Sequence, residues 1–271
     1  MPRFFNRIYH KLAEGRWKNL TYFFPYADLQ PLIISCIVVT GTLLGVRHLG
    51  WFQPLELNVF DVMVRLRPDA VADPRLLIVT ITEQDINTIE KWPISDRTLA
   101  KSIAEIARLE PIAIGIDMLR TTPYEPGNAE LVTQLKNPKV IPITFIGSSE
   151  SERVPPPPNI PDKRVGFNDV VVDPDRIVRR NLMLRGDDKK TVYSFSMRLA
   201  FAYFNRQKIA HQKTEKNELQ VDKTVFSKLR SDSGGYQNID AGGYQVLLNY
   251  RSAENIAKSV TLTQVLQGKV D

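Results

Sequence analysis

The apolar run over residues 31–49 constrains this chain most, because between Leu32 and Val46 it carries no charge. A membrane-spanning helix needs about 20 mostly apolar residues. The run reaches that length when Leu29 precedes it and Trp51 marks the far interface. A buried core helix and the apolar part of a signal peptide are the alternatives. We predict one transmembrane helix over residues 29–50.

Charges on the two sides of this run predict its orientation. Basic residues near a span tend to remain in the cytoplasm. After the run only Arg47 occurs before Arg65, whereas the preceding segment is basic: Arg3, Arg7, Lys11, Arg16 and Lys18. We therefore predict a cytoplasmic tail over residues 1–28 and a periplasmic or otherwise extracytoplasmic domain over residues 51–271. This orientation describes a single-pass protein of the inner (plasma) membrane.

Composition adds two constraints on function. The net charge is +6, and the basic residues form no stripe interleaved with aromatics, so we expect no nucleic-acid partner. Hydrophobic residues make up 43% of the chain, which is enough for a real core. The single cysteine, Cys36, lies inside the apolar run, so the outer domain contains no disulfide.

Alternating segments follow the run and predict an α/β domain. Residues 75–82, 111–118 and 139–147 are β-branched and apolar, as in strands buried on both faces. Ser95 fits the N-cap of a helix after the first strand, and residues 128–136 form a helix after the second. Short connections between such elements favour adjacent parallel strands. The predicted core is a parallel βαβαβ unit.

Further elements flank this predicted core. Residues 55–67 show helical spacing directly after the apolar run. Residues 165–172 and 177–184 resemble the strands of an antiparallel hairpin, with a turn at residues 173–176. Residues 193–205 form a helix that is apolar nearly all round, so we expect it to be well buried.

Polar residues follow the predicted strands at positions where ligands bind in parallel sheets, beyond the carboxyl ends of the strands. Five side chains are expected to gather there: Glu83, Asp85, Asp117, Arg120 and Ser148. Each also has a purely structural interpretation, as a helix cap or a solvated strand end. We predict that one or more of them line a ligand crevice.

Catalytic and metal-binding signatures do not accompany these residues. His10, His48 and His211 lie in different kinds of segment and form no metal-ligand cluster. No phosphate-binding glycine loop and no Gly-x-Ser-x-Gly elbow occurs. We expect neither enzyme activity nor a cofactor.

Charged residues around the predicted turn have a structural interpretation. Asp173 and Asp175 are common turn formers. Arg179 or Arg180 is expected to pair with a carboxylate such as Asp117.

Short motifs in a fixed order then resemble a known family, the CHASE2 extracytoplasmic sensor domain of bacterial membrane receptors. The resemblance covers about residues 50–271. Its motifs lie at residues 60–68, 82–86, 92–97, 114–117, 165–169, 173–175, 178–180, 193–196 and 247–251. The motif positions that we single out as structural are Asp61, Arg65, Trp92, Pro93, Asp173, Asp175 and Arg179.

The resemblance implies a domain outside the membrane that perceives an unidentified small-molecule or environmental signal. It also implies further transmembrane helices and a cytoplasmic output module (a nucleotide or diguanylate cyclase, a histidine kinase or a Ser/Thr kinase). Among the partners we also consider a second copy of the chain, in a homodimer, although the sequence leaves the oligomeric state open. Ligand-binding residues cannot be carried over from the family position by position.

Two departures from the family pattern occur. Arg176 stands where a glycine usually closes the Asp-Pro-Asp turn. Family members continue after the position of Asp271 with another strand, a helix and a second membrane region. We expect either a fragment of a longer receptor, a disrupted gene product or a stand-alone subunit, with the outer domain truncated at its carboxyl end.

Two functional hypotheses follow. A sensor passes a signal from the outer domain along residues 55–67 to the span. A membrane-tethered interaction or scaffold domain would bind partner proteins without a small ligand. An extracytoplasmic enzyme is a third hypothesis, which the lack of a nucleophile–base pair disfavours.

Overall fold

The computed structural model describes residues 29–89, 92–186 and 191–270. The predicted cytoplasmic tail, residues 1–28, lies outside the described residues. The chain forms two compact units. The first contains the described residues up to Asn58 together with Gly234–Asn238, and the second contains Val59–Ser233 and the chain from Ile239 onward.

Helix α1, Gln30–His48, dominates the first unit. An 18-residue window of this helix has a mean hydropathy of 1.5, and none of that window is buried. By length and composition the helix can cross a membrane, so it is a candidate span at the predicted position. Its orientation stays a prediction.

Helix α2, Gln53–Arg65, begins in the first unit and ends in the second. At its start Glu56 pairs with Arg47 of α1 at 2.8 Å. Arg47 also donates to the carbonyl of Gly234 at 3.0 Å. Gly50 has φ +77, a left-handed conformation that glycine adopts without a steric penalty, and it allows the turn between α1 and α2. The helix predicted over residues 55–67 is present, but it begins and ends two residues earlier than expected.

A parallel sheet forms one part of the second unit. Its strands are β2 (Ile114–Ile116), β3 (Val140–Thr144) and β4 (Gly166–Phe167), in that order. Helix α5, Asn128–Leu135, connects β2 to β3, so these elements form one βαβ unit. The parallel pairing that the sequence predicts is present here.

Helix α4, Asp96–Arg108, covers this sheet, and its N-cap is the predicted one. The Ser95 hydroxyl accepts a hydrogen bond from the backbone N–H of Thr98 at 3.2 Å. The helix, β2, β3 and α5 share one apolar core with a residue from the carboxyl end of the chain. Its buried members are Ile94, Leu99, Ala100, Ile103, Ile114, Ile116, Leu131, Leu135, Val140 and Leu262.

Strand β1, Asp73–Thr80, lies in a different sheet from β2. Among the described strands it pairs only with β11, Ala257–Thr261, in parallel. The predicted βαβαβ order is therefore not confirmed. The expected burial of this strand on both faces is wrong, because Leu76 is 52% exposed and its neighbours Leu77 and Ile78 are also exposed. Most of the side chains of β1 are therefore exposed to solvent, including most of the apolar ones.

Short helices continue from both strands of this pair. Helix α3, Glu83–Ile89, follows β1. Helix α7, Leu262–Leu266, follows β11 and begins with a capping box formed by Thr261 and Gln264. Neither β11 nor the capping box at Thr261 is among the elements predicted above.

An antiparallel sheet has β5, Arg180–Gly186, at its centre. Its neighbours are β6 (Thr191–Tyr193) and β10 (Tyr244–Leu247). The predicted hairpin of residues 165–172 and 177–184 reduces to one antiparallel bridge, Val171 to Arg180. The first of its strands pairs instead with β3, and the Asn168 N–H continues this pairing by donating to Thr144 at 3.0 Å.

Helix α6, Phe195–Gln207, begins after Ser194, whose hydroxyl accepts from the N–H of Met197 at 3.3 Å. The expectation of a well-buried helix is wrong: only Met197 is buried and most other residues are half-buried. A small antiparallel sheet follows, formed by β7 (His211–Lys213), β8 (Leu219–Val221) and β9 (Thr224–Phe226).

Candidate functional site

Asp85, one of the five predicted ligand residues, is 1% exposed and ties three elements together. One oxygen, Oδ2, accepts from the N–H and hydroxyl of Thr82 at 2.8 and 2.7 Å. The other, Oδ1, accepts from the N–H of Thr263 at 2.9 Å and from its hydroxyl. Burial raises the pKa of Asp85, but the hydrogen bonds from Thr263 and Thr82 outweigh it and lower the pKa to about 2. The carboxylate therefore caps α3 and fastens it to the start of α7.

Arg120, the second predicted residue, is buried beside Asp96. Its guanidinium donates to the carbonyl of Ile94 at 3.0 Å, lies 4.5 Å from the ring centre of Tyr124, and approaches Asp96 Oδ1 to 3.8 Å. Asp96 Oδ2 accepts from the N–H of Tyr124 and the amide of Asn128. Burial lowers the pKa of Arg120. This pair fixes the loop before α5 to the start of α4.

The remaining three predicted residues are exposed. Asp117 accepts from the amide of Asn168 at 2.6 Å, Glu83 lies in the first turn of α3, and Ser148 donates its N–H to Glu152 at 2.8 Å. Within residues 29–89, 92–186 and 191–270, no recorded hydrogen bond or ion pair joins any two of the five. Their assignment to a common ligand crevice stays a prediction.

Ser148 alone of these five lines a cleft of about 600 Å³ at the carboxyl end of β3. Asp169 shapes the loop at its edge by accepting from the N–H groups of Ile146 and Gly147 at 3.0 and 2.7 Å. Arg185 of β5 donates to the Gly147 carbonyl at 2.9 Å. The cleft occupies the strand-end position where α/β sheets bind ligands.

Arg179 is the centre of a second polar cluster, which joins α2 to the sheet. Its side chain is 2% exposed. The Nε and Nη2 groups donate to the two carboxylate oxygens of Asp61, both at 2.7 Å. Such a two-point contact fixes the guanidinium plane as well as its position. Asp61 belongs to α2, so the contact ties this helix to residue 179, immediately before β5.

Two turn residues complete the coordination of Arg179. Asp175 accepts from its Nη1 and Nη2 at 2.9 and 2.6 Å, and Asp173 accepts from Nη1 at 2.9 Å. The hydrogen bonds that Arg179 donates to Asp61, and then those to Asp175, raise the pKa of Arg179. Arg179 in turn lowers the pKa of Asp175. The turn closes at Arg176 with φ +66, a left-handed conformation at the position where family members usually have glycine.

Arg180 extends the cluster to the antiparallel sheet. Its Nε donates to the buried Asp173 at 2.7 Å. Its Nη1 donates to Gln245 Oε1 at 2.7 Å and to the Asp240 carbonyl at 2.9 Å. The expected pairing with a carboxylate is present, but the partners are Asp61, Asp173 and Asp175 and not Asp117. We call Asp61, Asp173, Asp175, Arg179 and Arg180 the arginine cluster.

Sequence reasoning named all five of these residues but not their mutual contacts. It missed Asp96, Gln245 and Thr263. Gln245 ends the second copy of a repeated Gly-Gly-Tyr-Gln tetrad, which indicates a turn but not a hydrogen bond to Arg180. Of the other motif residues, Trp92 and Pro93 are exposed, and the buried Ile94 separates them from the capping residue Ser95.

In the described part of the chain, no group of three or more His, Cys, Asp or Glu side chains could hold a metal ion. The three carboxylates of the arginine cluster are instead bound to guanidinium groups.

These features define a mixed α/β domain that follows a candidate membrane-spanning helix and contains a buried charged cluster. Residues 36–271 match the family model of the CHASE2 domain. The chain therefore belongs to the CHASE2 family, as its motifs predicted. The CHASE2 domain is an extracytoplasmic sensory domain rather than a catalytic one. No curated protein sequence and no solved structure matches the chain significantly.

Proposed function

We propose that this chain is the membrane-anchored input domain of a bacterial signal-transduction receptor. Residues 51–271 perceive a signal outside the inner membrane, residues 29–50 cross it, and residues 1–28 lie in the cytoplasm. A cyclase or kinase module in the same receptor produces the output. Family membership and the candidate span support this proposal.

The two-point contact between Asp61 and Arg179 is the observation that carries the proposal. Asp61 lies on α2, which begins only five residues after the end of the candidate span at His48. Arg179 and the turn residues that bind it lie on the other side of the contact, directly before β5. A signal that binds two arrangements of this contact with different affinity would shift α2, and with it the span.

The orientation is tested by thiol labelling of the full chain in cells, in a Cys36→Ser background. Lys228→Cys places a thiol at an exposed position of the outer domain, and Asn6→Cys places one in the tail. We expect a membrane-impermeant maleimide to label residue 228 in spheroplasts and residue 6 only after permeabilisation. The reverse pattern would contradict the topology and the sensor proposal with it.

The coupling is tested by hydrogen exchange of the full chain in lipid nanodiscs. Asp61→Asn weakens the contact to Arg179, so we expect faster exchange of the amides of α2. Glu105→Gln breaks a surface pair with Arg108 on α4 and serves as the control, with no change in α2. Equal exchange of α2 in both variants would argue against transmission through this contact.

The uncovered apolar surface of β1 favours the alternative of a membrane-tethered interaction domain. Leu76, Leu77 and Ile78 are exposed on a strand with one paired edge, and such strands accept further strands from other chains. A second copy of this chain is the proposed partner. Mass measurement of the full chain in detergent would show a dimer that Leu76→Lys dissociates, whereas a monomer before substitution would refute this alternative.

A further inference from the structure

A second cleft, of about 970 Å³, lies beside the Asp61–Arg179 pair, within the second unit. Its wall combines the end of α2, the residues that follow it, and the segment from Asn249 to Ser252. The volume lies in the range of small-molecule sites, which is about 300–1,000 Å³. Residues of three family motifs, 60–68, 178–180 and 247–251, line this cleft, whereas none of the five predicted crevice residues does.

Three arginines give this cleft its charge: Arg65, Arg67 and Arg251. Arg179 also lines the cleft, but the arginine cluster already neutralises it. Of the other lining residues only Asp69 is an acid outside that cluster, so cations exceed anions by two among the side chains available to a ligand. Such an imbalance raises the local concentration of anions.

The three guanidinium groups retain donors for a ligand. Arg67 donates through Nη1 to the side-chain oxygen of Asn249 at 2.7 Å, and Arg251 donates to the Val71 carbonyl at 3.2 Å. Both partners are neutral, and each guanidinium carries five N–H groups. For Arg65 no hydrogen bond or ion pair is recorded within the described residues.

Apart from Asn249 and Ser252, the rest of the wall is apolar or aromatic. Phe60 and Val64 come from α2, and Ile177 and Tyr250 come from the opposite side. The Tyr250 hydroxyl donates to the Val178 carbonyl, which holds its ring in place along the wall. A ligand that fits this surface therefore has an apolar body as well as an anionic group.

We propose that this cleft binds an organic anion, namely a phosphate ester or carboxylate joined to an apolar group, and that this anion is the signal. Guanidinium groups suit these anions because their N–H pairs match two oxygens at once. The inference rests on the proposed sensory function and specifies its ligand class. Asp61 and Arg179 form part of the wall, so an anion bound there lies against the contact that carries the signal.

The ligand has two sources, a free solute or the headgroup of an anionic lipid, and the experiment separates them. The full chain is placed in nanodiscs of phosphatidylcholine, and its unfolding is followed with phenyl phosphate, benzoate or inorganic phosphate at constant ionic strength. A second set of nanodiscs contains phosphatidylglycerol without added solute. Stabilisation by phenyl phosphate or benzoate identifies a solute, and stabilisation by phosphatidylglycerol identifies a headgroup.

Arg65→Gln is the decisive variant, because Arg65 is exposed and makes no hydrogen bond or ion pair among the described residues that the substitution would break. We expect this variant to bind the effective probe about tenfold more weakly, the loss of one charge-assisted contact. Arg108→Gln removes an exposed arginine of α4 and should bind as the unsubstituted chain does. Inorganic phosphate should bind more weakly than phenyl phosphate because it has no apolar body.

Three results would overturn the inference: no stabilisation by any probe or lipid, equal loss of binding in the two arginine variants, or equal binding of inorganic and phenyl phosphate. Failure of the sensory proposal would look different, because it appears in the labelling of residues 6 and 228, which does not depend on this cleft.

Discussion

Replacement of Arg179 by methionine tests whether the arginine cluster behaves as a buried ionic core. Methionine retains most of the side-chain length but removes the charge and every donor. Five hydrogen bonds to three carboxylates are lost at once, to Asp61, Asp173 and Asp175. The fully buried carboxylate of Asp173 keeps Arg180 as a partner, whereas Asp61 and Asp175 lose the guanidinium that they bind.

The expected magnitude follows from burial. Removal of one partner from a buried ion pair costs about 3–5 kcal/mol, because a desolvated charge is left behind. The matched control is Arg108→Met, which breaks an ion pair to Glu105 of similar length, 2.8 Å, on a side chain that is 74% exposed. Exposed pairs of this kind contribute about 0.2–1 kcal/mol. The two variants differ in burial and in the number of partners.

Thermal unfolding of the full chain in detergent, followed by tryptophan fluorescence, measures the difference. One kcal/mol shifts the melting temperature by about 2–4 °C for a domain of 150–250 residues, so Arg179→Met should lower it by roughly 6–20 °C. Arg108→Met should lower it by roughly 0–4 °C. Shifts of equal size would refute the reasoning, since the cluster would then be no more desolvated than a surface pair.

Three further predictions follow from local geometry. The pKa of Asp85 is about 2 in the folded chain and about 3.9 in the unfolded chain, so the ionised carboxylate stabilises the fold above pH 4 and stops doing so as the pH falls to 2. Asp85→Asn should therefore lack this acid-dependent loss of stability in a melting series from pH 6 to pH 2. Gly166→Ala places a Cβ 2.4 Å from the Phe195 Cα and should lower the yield of folded protein. Gly268→Ala is the control, because nothing lies within 4 Å of the added Cβ. Its positive φ should lower the free energy of unfolding in denaturant by only about 1–2 kcal/mol. Arg176→Gly relieves a left-handed conformation at φ +66 and should raise stability by about 0.5–1 kcal/mol, and a lower melting temperature would contradict this.

Local features of this fold were predictable from sequence because they depend on residues within a few positions of one another. The Ser95 cap of α4 and the contact of Thr82 with Asp85 follow from such spacing. The burial of an apolar strand cannot be predicted in this way, because it depends on the distant segments that pack against the strand. Strand β1 has the composition of a central strand, yet its only described partner is β11.

The arginine cluster shows why the site was harder to predict than the fold. Asp61 and Arg179 are 118 residues apart, and no periodicity relates them. Family motifs singled out both residues without indicating that they touch. The crevice predicted at the strand ends would place Asp117 near an arginine. In the structure Asp117 instead accepts a hydrogen bond from Asn168.

The pairing of β1 with β11 also determines when the domain can finish folding. The Thr80 hydroxyl donates to the Val260 carbonyl, 180 residues later in the chain. Translation proceeds at about 5–20 residues per second, so β1 waits roughly 10–35 s for the strand that covers its edge. During this interval the apolar segment at residues 76–79 lacks its partner strand, which leaves it open to chaperones that bind extended apolar segments.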